Sequence, residues 1–332
     1  MKFNEYKYQR PDLEKFKSEM NRELNAIGTD QEPTVEIKAI YNVFKLQDYI
    51  DSMAQLVGIR NNLNTKDEFY EKEQSFFDEN NPHIQDMNQK FINKLLSSKN
   101  REALEKEFGT YIFIKYEIAK KTFHPDIIPD LQQENKLSTV YSKLLAGAEI
   151  AFDGKTYNFS QMSPFMQHKD RDIRHRAQLA VSAWLEDHEN EIDRIYDEMV
   201  KVRDKIAKKL GYKNFVGLAY DRLGRTDYNH LDVKKYRDQI YKEVVPYVSE
   251  LVKRKGTRLG IKELKSYDLA LSFLSGNPTP KGDLAWQVNH AKDMYHEMGP
   301  DTTQFFDFML NHELLELDAK PGKSGGGFEL VP

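Results

Sequence analysis

Nine histidines are the side chains of this chain best suited to holding a metal or moving protons near neutral pH: His83, His124, His168, His175, His188, His230, His290, His296 and His312. No two lie four residues apart, so the paired-histidine clamp that one helical face offers to zinc is absent. The nearest approaches are His296-Glu297 and His312-Glu313-Leu314-Leu315-Glu316, where a histidine and a glutamate four apart on a helix can reach one metal. A solvated helix face explains such a pair more often than a ligand set does. His168 and His175, seven apart, share a face with nothing nearby to complete a site. The chain has no cysteine, which removes disulfides, thiolate ligands and a thiol nucleophile. No nucleophile elbow, phosphate-binding glycine loop or dinucleotide fingerprint is expected. Residue chemistry alone yields no complete catalytic constellation.

Charge narrows the classes further. The net charge of −4 gives no global field toward nucleic acid or an anionic surface. The basic run Lys201-Val202-Arg203-Asp204-Lys205-Ile206-Ala207-Lys208-Lys209 follows Asp187, Glu189, Glu191 and Asp193 and has no interleaved aromatics. It reads as the favourably charged C-terminal end of a helix. No apolar run approaches the length of a membrane span, and the N-terminus lacks a signal-peptide core. With no cysteine to protect, a soluble cytoplasmic protein is the expectation.

The elements that must position any site are helices. Seventeen glycines and twelve prolines among 332 residues leave long stretches with neither. Helices are expected from Pro11 to about Asn25, from Thr34 to about Arg60, and from the capping stretch at Thr65-Asp67 to about Leu96, with a kink at Pro82. Others are expected over 101–121, from 130 to about 149, over 170–210 ending at Gly211, over 214–223, and over 232–255 with a kink at Pro246. One β signal interrupts them: Asp153-Gly154 between two short apolar arms predicts a hairpin over 149–159. The C-terminal sixty residues carry a turn-rich run from Ser275 to Gly282 and then Pro321-Gly322-Lys323-Ser324-Gly325-Gly326-Gly327. Three consecutive glycines suit a backbone that must come close to something.

Three segments in order carry a resemblance. They are Tyr220-Asp221-Arg222-Leu223-Gly224-Arg225-Thr226-Asp227-Tyr228, Asp268-Leu269 through Gly282, and Phe305-Phe306-Asp307-Phe308-Met309 followed by Gly322 to Phe328. Together they resemble the oligoendopeptidase F group of the thimet-oligopeptidase-like zinc metallopeptidases. The opening Tyr8-Gln9-Arg10-Pro11 fits the bacterial branch, and the likeness extends over nearly the whole chain.

What the resemblance implies is a mainly α fold of long helices in two lobes, forming part of a channel that admits short unfolded peptides. It implies a 1–130 N-terminal helical lobe, a 131–327 central helical region and a 328–332 tail outside the family pattern. Family chemistry uses a His-Glu-x-x-His helix and a later glutamate to hold zinc, with the motif glutamate as general base. None of those positions has a counterpart here, so no catalytic or metal-binding residue carries over. Gly325, Gly326 and Gly327 are the one match close to where a substrate strand would lie. The expectations are therefore a zinc-dependent oligopeptidase by family and a chain inactive by itself. Self-association, or pairing with the missing C-terminal half, is also expected. The rival is a non-catalytic helical module that binds peptides or a partner protein.

Overall fold

Side chains just outside each helix decide where it starts. In the computed structural model, which describes residues 1–28, 32–279 and 281–326, helix α1 (Leu13–Leu24) begins at Asp12, whose carboxylate accepts from the Lys15 N–H at 2.9 Å. Helix α2 (Pro33–Leu63) opens on a proline, whose missing N–H costs nothing in a first turn. Helix α3 (Glu68–Leu96) is capped by Asp67, which accepts from the Phe69 and Tyr70 N–H groups at 3.0 and 3.2 Å. The capping start read at Thr65-Asp67 is thus in place.

The helix expected over 101–121 is two, α4 (Arg101–Phe108) and α5 (Thr110–Lys121), parted at Gly109 with φ of 80°. Helix α6 (Ile128–Ala146) follows the proline break at 125–127. The hairpin forms as expected: β1 (Ile150–Phe152) pairs antiparallel with β2 (Lys155–Tyr157), Ile150 opposite Tyr157. Both turn residues, Asp153 and Gly154, have positive φ, 46° and 75°, as a two-residue hairpin loop requires.

Helix α7 (Phe159–Met166) leads to α8 (Arg171–Asp187) and α9 (Glu189–Lys209). These last two replace the single helix expected over 170–210. The break falls at His188, and Glu189 and Glu191 in the first turn of α9 favour a new helix N-terminus there. Helix α10 (Phe215–Arg222) starts at Asn214. Beyond it, α11 (His230–Gln239) runs through a π-helical turn (Ile240–Val244) into α12 (Val245–Leu259). The kink expected at Pro246 takes this form, a widened turn just ahead of the residue that cannot donate. Helices α13 (Leu284–Met298) and α14 (Pro300–Asn311) complete the described elements. Among the described residues no helix is long and apolar enough to cross a membrane.

The chain divides into two compact units, each assembled from separated segments. The larger, Arg10–Leu145 with Asp187–Ser249, has two cores. One gathers Met20, Ile40, Val43, Phe91, Leu95, Leu104 and Phe113 from α1 to α5, with Phe44 edge-on to Phe91 and Phe108. Its one fully buried charge, Glu36, accepts from the Gly28 N–H, the Ser98 hydroxyl and the Asn100 amide at 2.8 to 2.9 Å, which fixes the chain after α1 and after α3. The other core joins Ile127, Leu131 and Leu137 to Ile195, Val202, Ile206 and Leu218. Around it Asp130 takes Lys205 and Lys209, and Glu134 takes Arg203 and Arg222. The smaller unit comprises Met1–Gln9, Ala146–Glu186 and the described residues from Glu250.

Pro82 lies inside α3, where a kink is expected. The helix continues through it. The carbonyl of Asp78, four residues earlier, has no helical donor because proline lacks an N–H. Asn135 on α6 supplies one, its amide donating to that carbonyl at 3.1 Å.

Candidate functional site

In the smaller unit, the segment from Tyr267 to Asn277 is set by one carboxylate. Asp268 is fully buried. It accepts two hydrogen bonds from Arg171 (3.0 and 2.8 Å), one from Arg174 (2.8 Å) and one from the Lys265 N–H (3.0 Å). Arg174, only 1% exposed, spends its remaining donors on the carbonyls of Tyr267, His168 and Lys169. The buried Asp268–Arg174 pair thus has its charges balanced locally, with Arg171 adding a second guanidinium. The Arg171 bonds outweigh the effect of burial and hold the Asp268 carboxyl well below the usual carboxylate range. Downstream, Asn277 closes the loop, accepting from the Ser272 N–H and donating to the Ala270 carbonyl, both at 2.7 Å. Arg258 on α12 donates to the Ser272 carbonyl at 2.9 Å and lies over the Phe273 ring.

The end of α14 and the segment after it are strapped in the same unit. The Phe3 N–H donates to the His312 carbonyl at 2.8 Å, and Lys2 pairs with Glu313 at 2.5 Å. Asn158 reaches the Lys320 carbonyl at 3.0 Å, and Lys323 donates to the carbonyls of Glu316 and Asp318. Gly325 and Gly326 follow as exposed residues, Gly326 with φ of 111°. A side chain at Gly325 would meet the Ser160 hydroxyl at 3.6 Å, an ordinary contact, so nothing there demands glycine. Gly327 and residues 328–332 lie outside the described residues.

This stretch also requires a correction. Gly322-Lys323-Ser324-Gly325-Gly326 does spell the Gly-x-Ser-x-Gly order that the sequence reading excludes. The elbow works by placing serine on a tight strand-to-helix turn. Among the described residues, Ser324 has irregular chain before it and no strand leading in, so the order occurs without its geometry.

The histidine–carboxylate pairs do not converge. Helix α14 ends at Asn311, so His312 and Glu316 never share a helical face. The ring of His312 packs on Phe308 with Nδ1 2.8 Å from that residue's carbonyl, while Glu316 is taken by Lys320 and Lys323. Those two lysines offset burial and keep the Glu316 carboxyl low. His296 faces Asp307 at 3.2 Å, a bond that depresses the Asp307 carboxyl. His175 stacks on Tyr267, and His168 accepts from the Asp170 N–H at 3.0 Å. Among the described residues no group of three or more His, Asp or Glu side chains is placed to hold a metal ion. The residues in place do not fit a zinc site.

One feature escapes the sequence reading, and another agrees with it. One is the Arg171–Arg174–Asp268 cluster, whose arginines sit three apart on α8 but about a hundred residues from their carboxylate. The other is an apolar stripe on the helix from 230 to 259. Tyr241, Val244, Val245, Val248 and Leu251 all stand exposed, Tyr241 at 76%. Exposed apolar surface on the helices from about Asp232 onward is what the sequence leads one to expect.

Comparison with known proteins gives one family. The profile of the peptidase M3 N-terminal domain matches residues 3–123, and that of peptidase family M3 matches residues 164–273. A search of curated proteins finds no match. Among solved structures, PZ peptidase A bound to an inhibitor superposes with a TM-score of 0.97 and 43% identity over 98% of this chain and 58% of its own. A candidate oligoendopeptidase F from Bacillus anthracis gives 0.97 and 44%, over 99% of this chain and 60% of its own. A further candidate oligoendopeptidase F gives 0.97 and 41%, over 98% and 58%. The chain spans under two thirds of the length of these solved relatives.

Proposed function

The chain belongs to the M3 peptidases, in their oligoendopeptidase F-like group, and from that premise we propose that it is the substrate-receiving part of a zinc-dependent oligopeptidase acting on short unfolded peptides. The observation that carries the reading is the likeness to oligoendopeptidase F structures at 41–44% identity over 98–99% of this chain. The 332 residues contain no His-Glu-x-x-His, so in this reading the zinc ligands and general base are not among them and the polypeptide has no activity by itself. The exposed glycines 325 and 326 are offered as backbone that an extended peptide can approach.

The apolar stripe on α11 and α12 supports a second role. Contiguous exposed apolar surface marks a binding face. We read it as the surface that pairs with the metal-bearing part of a full-length chain, or with a second copy when that part is lacking. A purely binding, non-catalytic module draws support from the same stripe.

Hydrolysis of a short quenched fluorescent peptide, with zinc content measured on the same sample, tests this. The expected result is neither zinc nor turnover from the 332 residues alone. Chelator-sensitive turnover should appear when the C-terminal part of PZ peptidase A is co-expressed. Chelator-sensitive cleavage by this chain alone would overturn its inactivity. Persistent silence of a well-folded pair would favour the binding module.

A further inference from the structure

Past Asn311 the described chain runs to Gly326 without helix or strand. Such a segment keeps one course only where partners outside it hold its backbone. At its start those partners lie more than three hundred positions earlier in the sequence. The Phe3 N–H donates to the His312 carbonyl at 2.8 Å, and the Lys2 ammonium meets the Glu313 carboxylate at 2.5 Å. Lys2 is itself set in place, because its own N–H donates to the Glu5 carboxylate at 2.9 Å and closes a short 3₁₀ turn (Phe3–Glu5).

The two contacts fall on adjacent residues at a sharp change of direction. Glu313 has φ of 54°, the left-handed region that residues other than glycine seldom enter. A backbone of this kind persists where its surroundings over-determine it, and such residues gather at ligand clamps and switch regions. Stability alone does not account for the ion pair, since both side chains are about half exposed and such pairs contribute little. What the contacts fix is where the chain goes next. Its later course is held from the start of α7, where Asn158 reaches the Lys320 carbonyl, and by Lys323 on the carbonyls of Glu316 and Asp318. Between and beyond these holds lies the way to the exposed Gly325 and Gly326.

We infer that Lys2 and Phe3 are positioning residues for the peptide-approached segment: they anchor the turn at His312-Glu313 and so set the course of the chain toward Gly325 and Gly326. This rests on the reading, proposed above, of those glycines as backbone beside an extended peptide.

Two substitutions at one position test it. Phe3→Pro removes the donated N–H and little else of the backbone. Lys2 already has the extended conformation that suits a residue before proline (φ −80°, ψ 157°), and Phe3 opens its turn, where proline is tolerated. Phe3→Ala keeps the N–H and controls for loss of the ring. Hydrogen exchange on the 332-residue chain reads the anchor directly. The Glu313 and Leu314 amides, bonded to the Leu310 and Met309 carbonyls, should exchange about threefold faster or more in Phe3→Pro than in Phe3→Ala, with α1 to α5 unchanged. In the pair co-expressed with the C-terminal part of PZ peptidase A, Phe3→Pro should raise KM about threefold or more over Phe3→Ala at unchanged kcat, which marks lost binding rather than lost chemistry. Lys2→Glu should raise KM as well, and adding Glu313→Lys should restore it. Equal exchange in the two Phe3 variants would overturn the inference. Faster exchange with an unmoved KM would reduce the anchor to a structural tie and overturn it too. A wild-type pair without turnover would sink the peptidase reading instead, and the exchange comparison would then decide by itself whether the anchor sets the turn.

Discussion

Asp268 and Asp78 are both buried carboxylates, one in each compact unit. Asp268 receives two guanidiniums and a backbone N–H, whereas Asp78 receives one hydroxyl and one side-chain amide. The first has its charge neutralised where it sits, and Arg174 spends other donors on backbone carbonyls. It holds a loop in place. The second keeps a charge that burial disfavours more than Lys136 and Lys143, each paired with a glutamate, favour it from a distance. A buried polar group is either fully partnered, and then rigidifies its surroundings, or partly partnered, and then calls for something else.

The largest test of the contrast is Asp268→Ala. It strands Arg174, 1% exposed, without its carboxylate. Removing one partner of a buried pair costs about 3–5 kcal/mol. Urea denaturation should show a loss of that size, and a loss below about 1 kcal/mol would mean the cluster is dispensable.

Acid should separate the two sites by sign. The Asp268 carboxyl is depressed in the folded protein, so its stabilisation is fully present above the unfolded value near pH 4 and is lost as pH falls through the lower folded value. Asp78 is raised, so its ionised form costs stability above the raised value, and that cost is relieved as pH falls toward about 4. Against wild type, Asp268→Asn should therefore show a shallower stability loss below about pH 4. The difference between wild type and Asp78→Asn should shrink on mild acidification. Parallel curves for all three proteins would break the comparison.

The smallest effect belongs to Asp78→Asn at neutral pH. The amide can still accept the Thr139 hydroxyl, and a poorly compensated buried charge disappears. The stability change should stay within about 1 kcal/mol in either direction. A loss approaching that of Asp268→Ala would show that Asp78 has a charge partner after all.

Local chemistry was readable where a local rule decides it. Asp153-Gly154 announced the hairpin and Asp67 the start of α3. The break at His188 was not readable, because no glycine or proline marks it and α8 and α9 join two different compact units. The Gly109 break was missed for the opposite reason: the surrounding helical pattern was strong enough to mask one glycine. Of the candidate site, the glycine run and its family setting were legible. The arginines that grip Asp268, and the Thr139 hydroxyl that reaches Asp78, are distant in sequence from their carboxylates, and no spacing rule brings them together.

Pro82 and Asn135 carry a consequence for how such a sequence can drift. While residue 82 is proline, the Asp78 carbonyl depends on Asn135 for its donor. Replacing Asn135 first orphans a buried carbonyl, whereas replacing Pro82 first restores the helical N–H and frees position 135 to vary. The same two changes are thus unequal in the two orders, and lineages that lose the asparagine should already have lost the proline.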